Sequence, residues 1–172
     1  ERLLGDLLAL SRIGRMVNPP ERFPMRDAFD EARSRVGGLI ASSGATIRAG
    51  EMGEAFADRE RLVEVWQNLI ENAIKYSKPG VTPALEAGAE ARDGRSAFFL
   101  RDNGIGIDRK YREKAFALFE KINPKSEGTG IGLALVKRIV EVHGGRVWVE
   151  DGIDGGSTFI FTLADGGPDS AA

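Results

Sequence analysis

There is no cysteine in this 172-residue chain, so a disulfide framework, a thiolate metal site and a cysteine nucleophile are all excluded. A single histidine, His143, gives poor support to a histidine-rich metal site or a serine–histidine dyad. No apolar run approaches the ~20 residues needed to span a bilayer, and no signal peptide is visible. Charge of one sign is missing too. A net charge of −2 argues against a general nucleic-acid or membrane-surface binder, though a local basic patch remains open. Internal repeats and low-complexity blocks are absent. What remains, 42% hydrophobic and 29% charged, is the composition of a soluble globular domain. The length suffices for one real core, with room for an appendage. Because it opens on Glu1 in mid-pattern, the chain reads as a piece of something longer.

Leucines at 3, 4, 7, 8 and 10, with Ile13, give residues 1–15 one broad apolar stripe at helical spacing. About four turns cannot bury such a stripe alone, so a second helix is expected against it, in a dimer or an upstream segment. Asn18-Pro19-Pro20 ends that helix. Asp27 is placed to cap a second helix through Ala28, Phe29, Ala32, Val36, Leu39 and Ile40; residues 45–48 then read as a strand. Asp58 caps a third helix over 59–77, with Leu62, Val65, Trp66, Leu69, Ile70 and Ala73 on one side. Asn68, Glu71, Asn72 and Lys75 fall on the other side. Strands are expected over 84–92 and 95–101, joined at Asp93-Gly94.

Asp108 then caps a short helix through Tyr111, Ala115, Phe116 and Phe119, followed by a polar stretch, 121–127, that contains Pro124 and reads as mobile. A long helix over 130–143 ends at Gly144-Gly145, with His143 placed where a partly charged imidazole suits the helix dipole. Strands over 146–150 and 157–163 bracket a glycine turn. Trp66 and Trp148 read as core anchors. The chain divides into 1–17, a domain over 18–164 and a disordered tail at 165–172. The fold class is an α/β (α+β) two-layer sandwich, its mixed, largely antiparallel sheet packed on one layer of helices.

Three stretches can carry chemistry. Asp102-Asn103-Gly104-Ile105-Gly106-Ile107 follows the apolar run Ala97–Leu100, so the Asp102 carboxylate arrives at a strand end before a glycine-hinged loop. It can accept from an exocyclic amine such as that of adenine, and bare glycines let a flat ligand approach the backbone. A hairpin turn is the plain alternative. Asn68, Asn72 and Lys75 present two amides and an ammonium to one place, a shell suited to a hard cation and phosphate oxygens. Against a merely solvated face stands the cost of two poor helix formers in mid-helix. Gly128-Thr129-Gly130-Ile131-Gly132 leads straight into a helix, where converging N–H groups and the helix dipole suit an anion. It is neither a dinucleotide fingerprint nor a P-loop.

Taken in order, Asn68-Leu-Ile-Glu-Asn72-Ala-Ile-Lys75-Tyr76, Asp102-Asn-Gly104-Ile-Gly106, Phe116-Ala-Leu-Phe119 and Gly128-Thr-Gly130-Ile-Gly132-Leu133 resemble the asparagine, glycine and phenylalanine boxes of sensor histidine kinases. Gly156-Ser157-Thr158 resembles the family's last glycine box. The resemblance, to the Bergerat-type ATP-binding domain, covers residues 20–164. It implies that Asp102 binds the adenine amino group, with Thr158 helping through a water. Asn72 would ligate Mg²⁺ beside Asn68, Lys75 would contact phosphate, and Tyr76 would lie on the base or ribose. Gly104, Gly106 and Ile107 would form the base pocket, and Gly128, Thr129, Gly130, Ile131, Gly132 and Leu133 would wrap the phosphates. Residues 108–127 would be a lid over ATP, with Lys121 where an arginine is usual and Phe116-Ala117-Leu118-Phe119 in place of Phe-Glu-Pro-Phe.

The resemblance further implies a protein-histidine kinase using ATP and Mg²⁺. Its partners would be the dimerisation and phosphotransfer domain of the same kinase, to whose tail residues 1–17 would belong, and a response-regulator receiver domain. A homodimeric, cytoplasmic full-length protein is expected, soluble or membrane-anchored, with no nucleic acid and no direct membrane contact for this part. The acceptor histidine of the family is not in this chain. Two other readings stay open, an ATP-operated clamp of the gyrase or chaperone class and a non-catalytic nucleotide-binding module. Asn68 stands where the clamps carry a glutamate that activates water, which favours transfer over hydrolysis.

Overall fold

The computed structural model describes residues 2–12, 18–121, 125 and 128–166. Ile13, Pro124 and the end of the expected tail lie outside them. Twelve elements carry the fold: α1 Arg2–Arg12, β1 Glu21–Pro24, α2 Met25–Arg35, α3 Gly37–Ser43, β2 Thr46–Ala49, β3 Glu54–Ala57, α4 Arg59–Lys75, β4 Ala84–Arg92, β5 Arg95–Asp102, α5 Gly132–Val142, β6 Val147–Asp151 and β7 Ser157–Thr162. The main sheet runs β2-β4-β5-β7-β6, with β2 parallel to β4 and every other pairing antiparallel. Helices α2, α4 and α5 contribute their buried residues to one common core against it. This is the expected two-layer sandwich.

Period-two alternation divides each central strand between two faces. Phe98 and Leu100 of β5 and Phe159 and Phe161 of β7 enter the core beneath the helices. Ala97, Phe99 and Ile160 form a small cluster on the other face, with Trp148 packed against it. Arg101 and Arg146 cover that face by stacking their guanidinium groups over Phe99 and Trp148. Trp66 is the centre of the main core. Its indole meets Phe29 and Phe161 edge-on, each at 5.2 Å between centroids, and its N–H donates to Met25 Sδ at 3.2 Å.

The elements differ from the sequence reading in four places. Strands β1 and β3 pair as a separate antiparallel ribbon that was not expected, since four residues ending on proline carry almost no periodic signal. The second helix starts at Met25, two residues before Asp27, which instead puts its carboxylate in the first turn. It breaks at Val36, where Gly37-Gly38 weaken helix continuity, and restarts as α3. The short helix after Asp108 is two 3₁₀ turns, Arg109–Tyr111 and Lys114–Phe116, and Phe119 lies outside them with φ 62°.

His143 departs from a further expectation. Its Nε2 accepts from the Asp58 N–H at 3.1 Å while Nδ1 lies 2.8 Å from the Ile139 carbonyl. That pattern assigns the neutral Nδ1–H tautomer, so the ring acts as a bridge to the start of α4 and not as a charged cap. Asp58 itself is fully buried, caps α4 and accepts from both the backbone and side chain of Asn18.

Candidate functional site

Helix α4 packs on the sheet through Leu62, Val65, Trp66, Leu69 and Ile70, so its polar face is turned outward above the strand ends. There Asn68, Asn72 and Lys75 line a cavity of about 630 Å³, opposite the loop Gly128–Leu133. A smaller cavity adjoins it, walled by Asp102, Ile105, Gly106, Ile107, Ser157 and Phe159. Asn72, Tyr76 and Leu133 line both, which makes the two one continuous cleft with a dry end and a polar end.

At the dry end the last residue of β5, Asp102, is buried, with Oδ1 accepting from the N–H of Gly104 at 2.9 Å and of Ser157 at 3.1 Å. Among the described residues no protein donor reaches Oδ2. Burial pushes this carboxyl above its ordinary range, and the two backbone donors only partly offset the push. A ligand amine would meet an acceptor already held in place.

At the polar end the Lys75 ammonium lies so close to Gly128 that any Cβ there would overlap it. Asn68 Nδ2 donates to the Glu64 carbonyl at 2.8 Å, which turns Oδ1 toward Gly132. Loop and helix therefore touch through bare backbone. Acidic groups also line this end, namely Asp6, Glu64, Glu71 and Glu120. Burial raises the Glu64 carboxyl even though Arg61 opposes it, while Gln67 donates to Glu71 at 3.3 Å. Thr129 Oγ1 donates to Asp6 Oδ2 at 2.9 Å, so α1 reaches over the loop.

Most of the residues singled out from sequence converge on this cleft: Asn68, Asn72, Lys75, Tyr76, Asp102, Gly106, Ile107 and the run Gly128–Leu133. Three do not line it. Thr158 sits on the outer face of β7, bonded to the Asp151 carbonyl at 2.8 Å and to Arg101, because alternation gives the inner position to Ser157. Gly104 leaves no room for a side chain for a different reason, since a Cβ there would sit 2.5 Å from the Tyr76 carbonyl. Lys121 is half-buried outside the cavity walls, where Glu120 appears instead. Ser157 was missed, although Phe159 and Phe161 inward on the same strand already implied it.

A divalent cation could be held here only by a mixed shell. No group of three or more histidine, cysteine or acidic side chains among the described residues could grip a metal, and the Asn72 amide offers a single hard oxygen. The donor set fits Mg²⁺ carried in with phosphate oxygens.

The sequence model of the histidine kinase-, DNA gyrase B- and HSP90-like ATPases matches residues 57–166, which include the entire cleft except the α1 and α3 contributions. The chain belongs to this ATPase family. Among its relatives, the methanogenesis regulatory histidine kinase FilI of Methanothrix harundinacea is 44% identical over 164 residues, covering 95% of this chain and 18% of that protein. Cyanobacterial phytochrome A of a Nostoc species is 36% identical over 169 residues, 97% of this chain and 22% of that one. The chain thus spans about a fifth of the length of these curated relatives. In structure it is similar to the nucleotide-free catalytic domain of histidine kinase ThkA, with TM-score 0.72 and 25% identity over 85% of this chain and 95% of that domain. Full-length ShkA, solved in complex with AMPPNP, shares the fold at TM-score 0.77 and 24% identity, over 94% of this chain and 35% of its own. In this member of the family the cleft carries asparagine, not glutamate, at 68.

Proposed function

We propose that this chain is the ATP-binding catalytic domain of a sensor histidine kinase, donating the γ-phosphoryl group of ATP to a histidine on the dimerisation and phosphotransfer domain of the same kinase. The observation that carries this reading is the cleft itself: one buried, half-satisfied carboxylate at its dry end and amide, ammonium and bare loop at its polar end. The base would enter beside Tyr76 and Ile107 with its amine on Asp102 Oδ2, and Ser157 would stand where Thr158 was expected. Lys75 and the N–H groups from Gly128 to Gly132 would hold the phosphates. Asn72, with Asn68 beside it, would supply protein ligands toward Mg²⁺. When bound, that ion would neutralise phosphate charge.

Transfer then needs positioning more than covalent protein chemistry. The incoming imidazole nitrogen forms the N–P bond, the bond from the γ-phosphorus to the bridging oxygen breaks, ADP leaves and the imidazole releases its proton. Asn68 cannot take a proton from water, which keeps the competing hydrolysis slow. The phosphorylated histidine would serve a response-regulator receiver domain. ThkA has been solved with the response regulator TrrA, at TM-score 0.68 to this chain. No helix among the described residues is long and apolar enough to cross a membrane, and a cytoplasmic, homodimeric kinase is our reading for the whole protein. Isothermal titration with Mg-AMPPNP tests the site. Saturable 1:1 binding, abolished by Asp102→Ala, is the expected result; equal binding by the variant contradicts it.

A further inference from the structure

The turn 152–156 packs against Gly106 and Asp102 behind the dry end of the cleft, and two cations from different parts of the chain tie down the turn and the strand end before it. Lys78 Nζ donates to the Asp154 carbonyl at 2.5 Å from just beyond α4. Arg112, on the segment leaving Ile107, donates through Nε to the Ile107 carbonyl at 3.0 Å and pairs through Nη2 with Asp151 at 2.5 Å. Its side chain is only 20% exposed, whereas that of Asp151 is 72% exposed, so the arginine is the fixed partner. Ile107 is a wall of the base cavity, and Asp151 is paired in register with Ser157, whose N–H holds Asp102. The guanidinium therefore joins both walls of the base cavity. Backbone contact leaves little slack, since a Cβ at Gly106 would overlap the Gly155 carbonyl and one at Gly156 the Asp102 carbonyl.

We propose that Arg112 is a positioning residue for the base: by bridging Ile107 and Asp151 it holds the adenine end of the cleft in its binding shape before nucleotide arrives. The proposal rests on the nucleotide reading above. Arg112 lines neither cavity, so it can reach a bound nucleotide only through the walls it holds. Its planar fork serves a carbonyl and a carboxylate at once, which an ammonium on a flexible stem cannot reproduce. Arginine at this position thus acts on affinity through the base end alone. The lowered carboxyl of Asp151, caused first by the bond from Arg112, is consistent with a standing pair.

Titrations of AMPPNP and of AMP, each with and without Mg²⁺, into wild type, Arg112→Ala, Arg112→Lys and Asp151→Asn test it. Arg112→Ala should raise Kd about tenfold for both nucleotides by the same factor, leaving the Mg²⁺ dependence of AMPPNP binding as in wild type. Arg112→Lys and Asp151→Asn should fall between, and hydrogen exchange at 152–156 should quicken in the order of lost affinity. Unchanged Kd in Arg112→Ala overturns the proposal, as does a loss confined to AMPPNP with Mg²⁺. If Arg112→Ala does not fold, the two milder variants decide, and wild-type Kd in both overturns it. Wild type that binds neither nucleotide would instead remove the nucleotide reading on which the proposal stands.

Discussion

At Asp102 two requirements compete in one side chain. The carboxylate has to be ionised to accept strongly from an amine, yet it is buried and has its charge met by only two backbone N–H groups. The carboxyl is therefore raised in the folded protein. The folded state holds this proton more tightly than the unfolded chain does, so ionisation costs stability. That cost is absent below the ordinary carboxylate range. It grows as pH rises through the interval up to the raised value and is fully present above it. Asp102→Asn should accordingly match or exceed wild type in thermal midpoint at neutral pH, and the difference should shrink on acidification. Calorimetric melts of both proteins across that interval check the sign. Binding should move the other way, with the Kd of the asparagine variant up by roughly 10–100-fold for loss of a charge-assisted bond of about 1.5–3 kcal/mol.

The elements show how little of the chain is free to change around the cleft. Gly106 has φ 74°, and a side chain there would also strike the Gly155 carbonyl. Gly106→Ala should cost more than about 1 kcal/mol and weaken nucleotide binding, readable from denaturant midpoints and titration. Helix α1 bears on the opposite end. Its leucines 3, 4, 7 and 8 are exposed, and its Asp6 takes the Thr129 hydroxyl where phosphates would lie. One carboxylate repels another charge of its own sign, so Asp6→Ala should tighten Mg-AMPPNP several-fold, and weaker binding would contradict that geometry.

What sequence made legible follows from signal strength in these same elements. Helix α4 was plain because eight buried residues recur at helical spacing behind an aspartate cap, and β5 and β7 because apolar residues run through them. The β1–β3 ribbon was hidden because each strand has only four residues, too few for a periodic signal to stand out. Cavity walls such as Asp6 and Glu120 come from segments brought together only by tertiary packing, which local pattern does not encode.

Across the whole molecule one core supports both the sheet and the site. Trp66 is wholly buried between Phe29 and Phe161, on the same helix that carries Asn68, Asn72 and Lys75. Trp66→Ala should remove about 3–5 kcal/mol, a large share of the 5–15 kcal/mol typical of a domain, and lower the thermal midpoint by roughly 10 °C. Nucleotide should restore part of that loss by mass action if the folded state alone binds it. A crystal structure of the chain with Mg-AMPPNP tests the central claim most directly. The exocyclic amine of adenine is expected within hydrogen-bond reach of Asp102 Oδ2, with the phosphates between Asn72, Lys75 and Gly128–Gly132. A nucleotide bound outside this cleft, or bound in it with the base at the glycine loop, would contradict it.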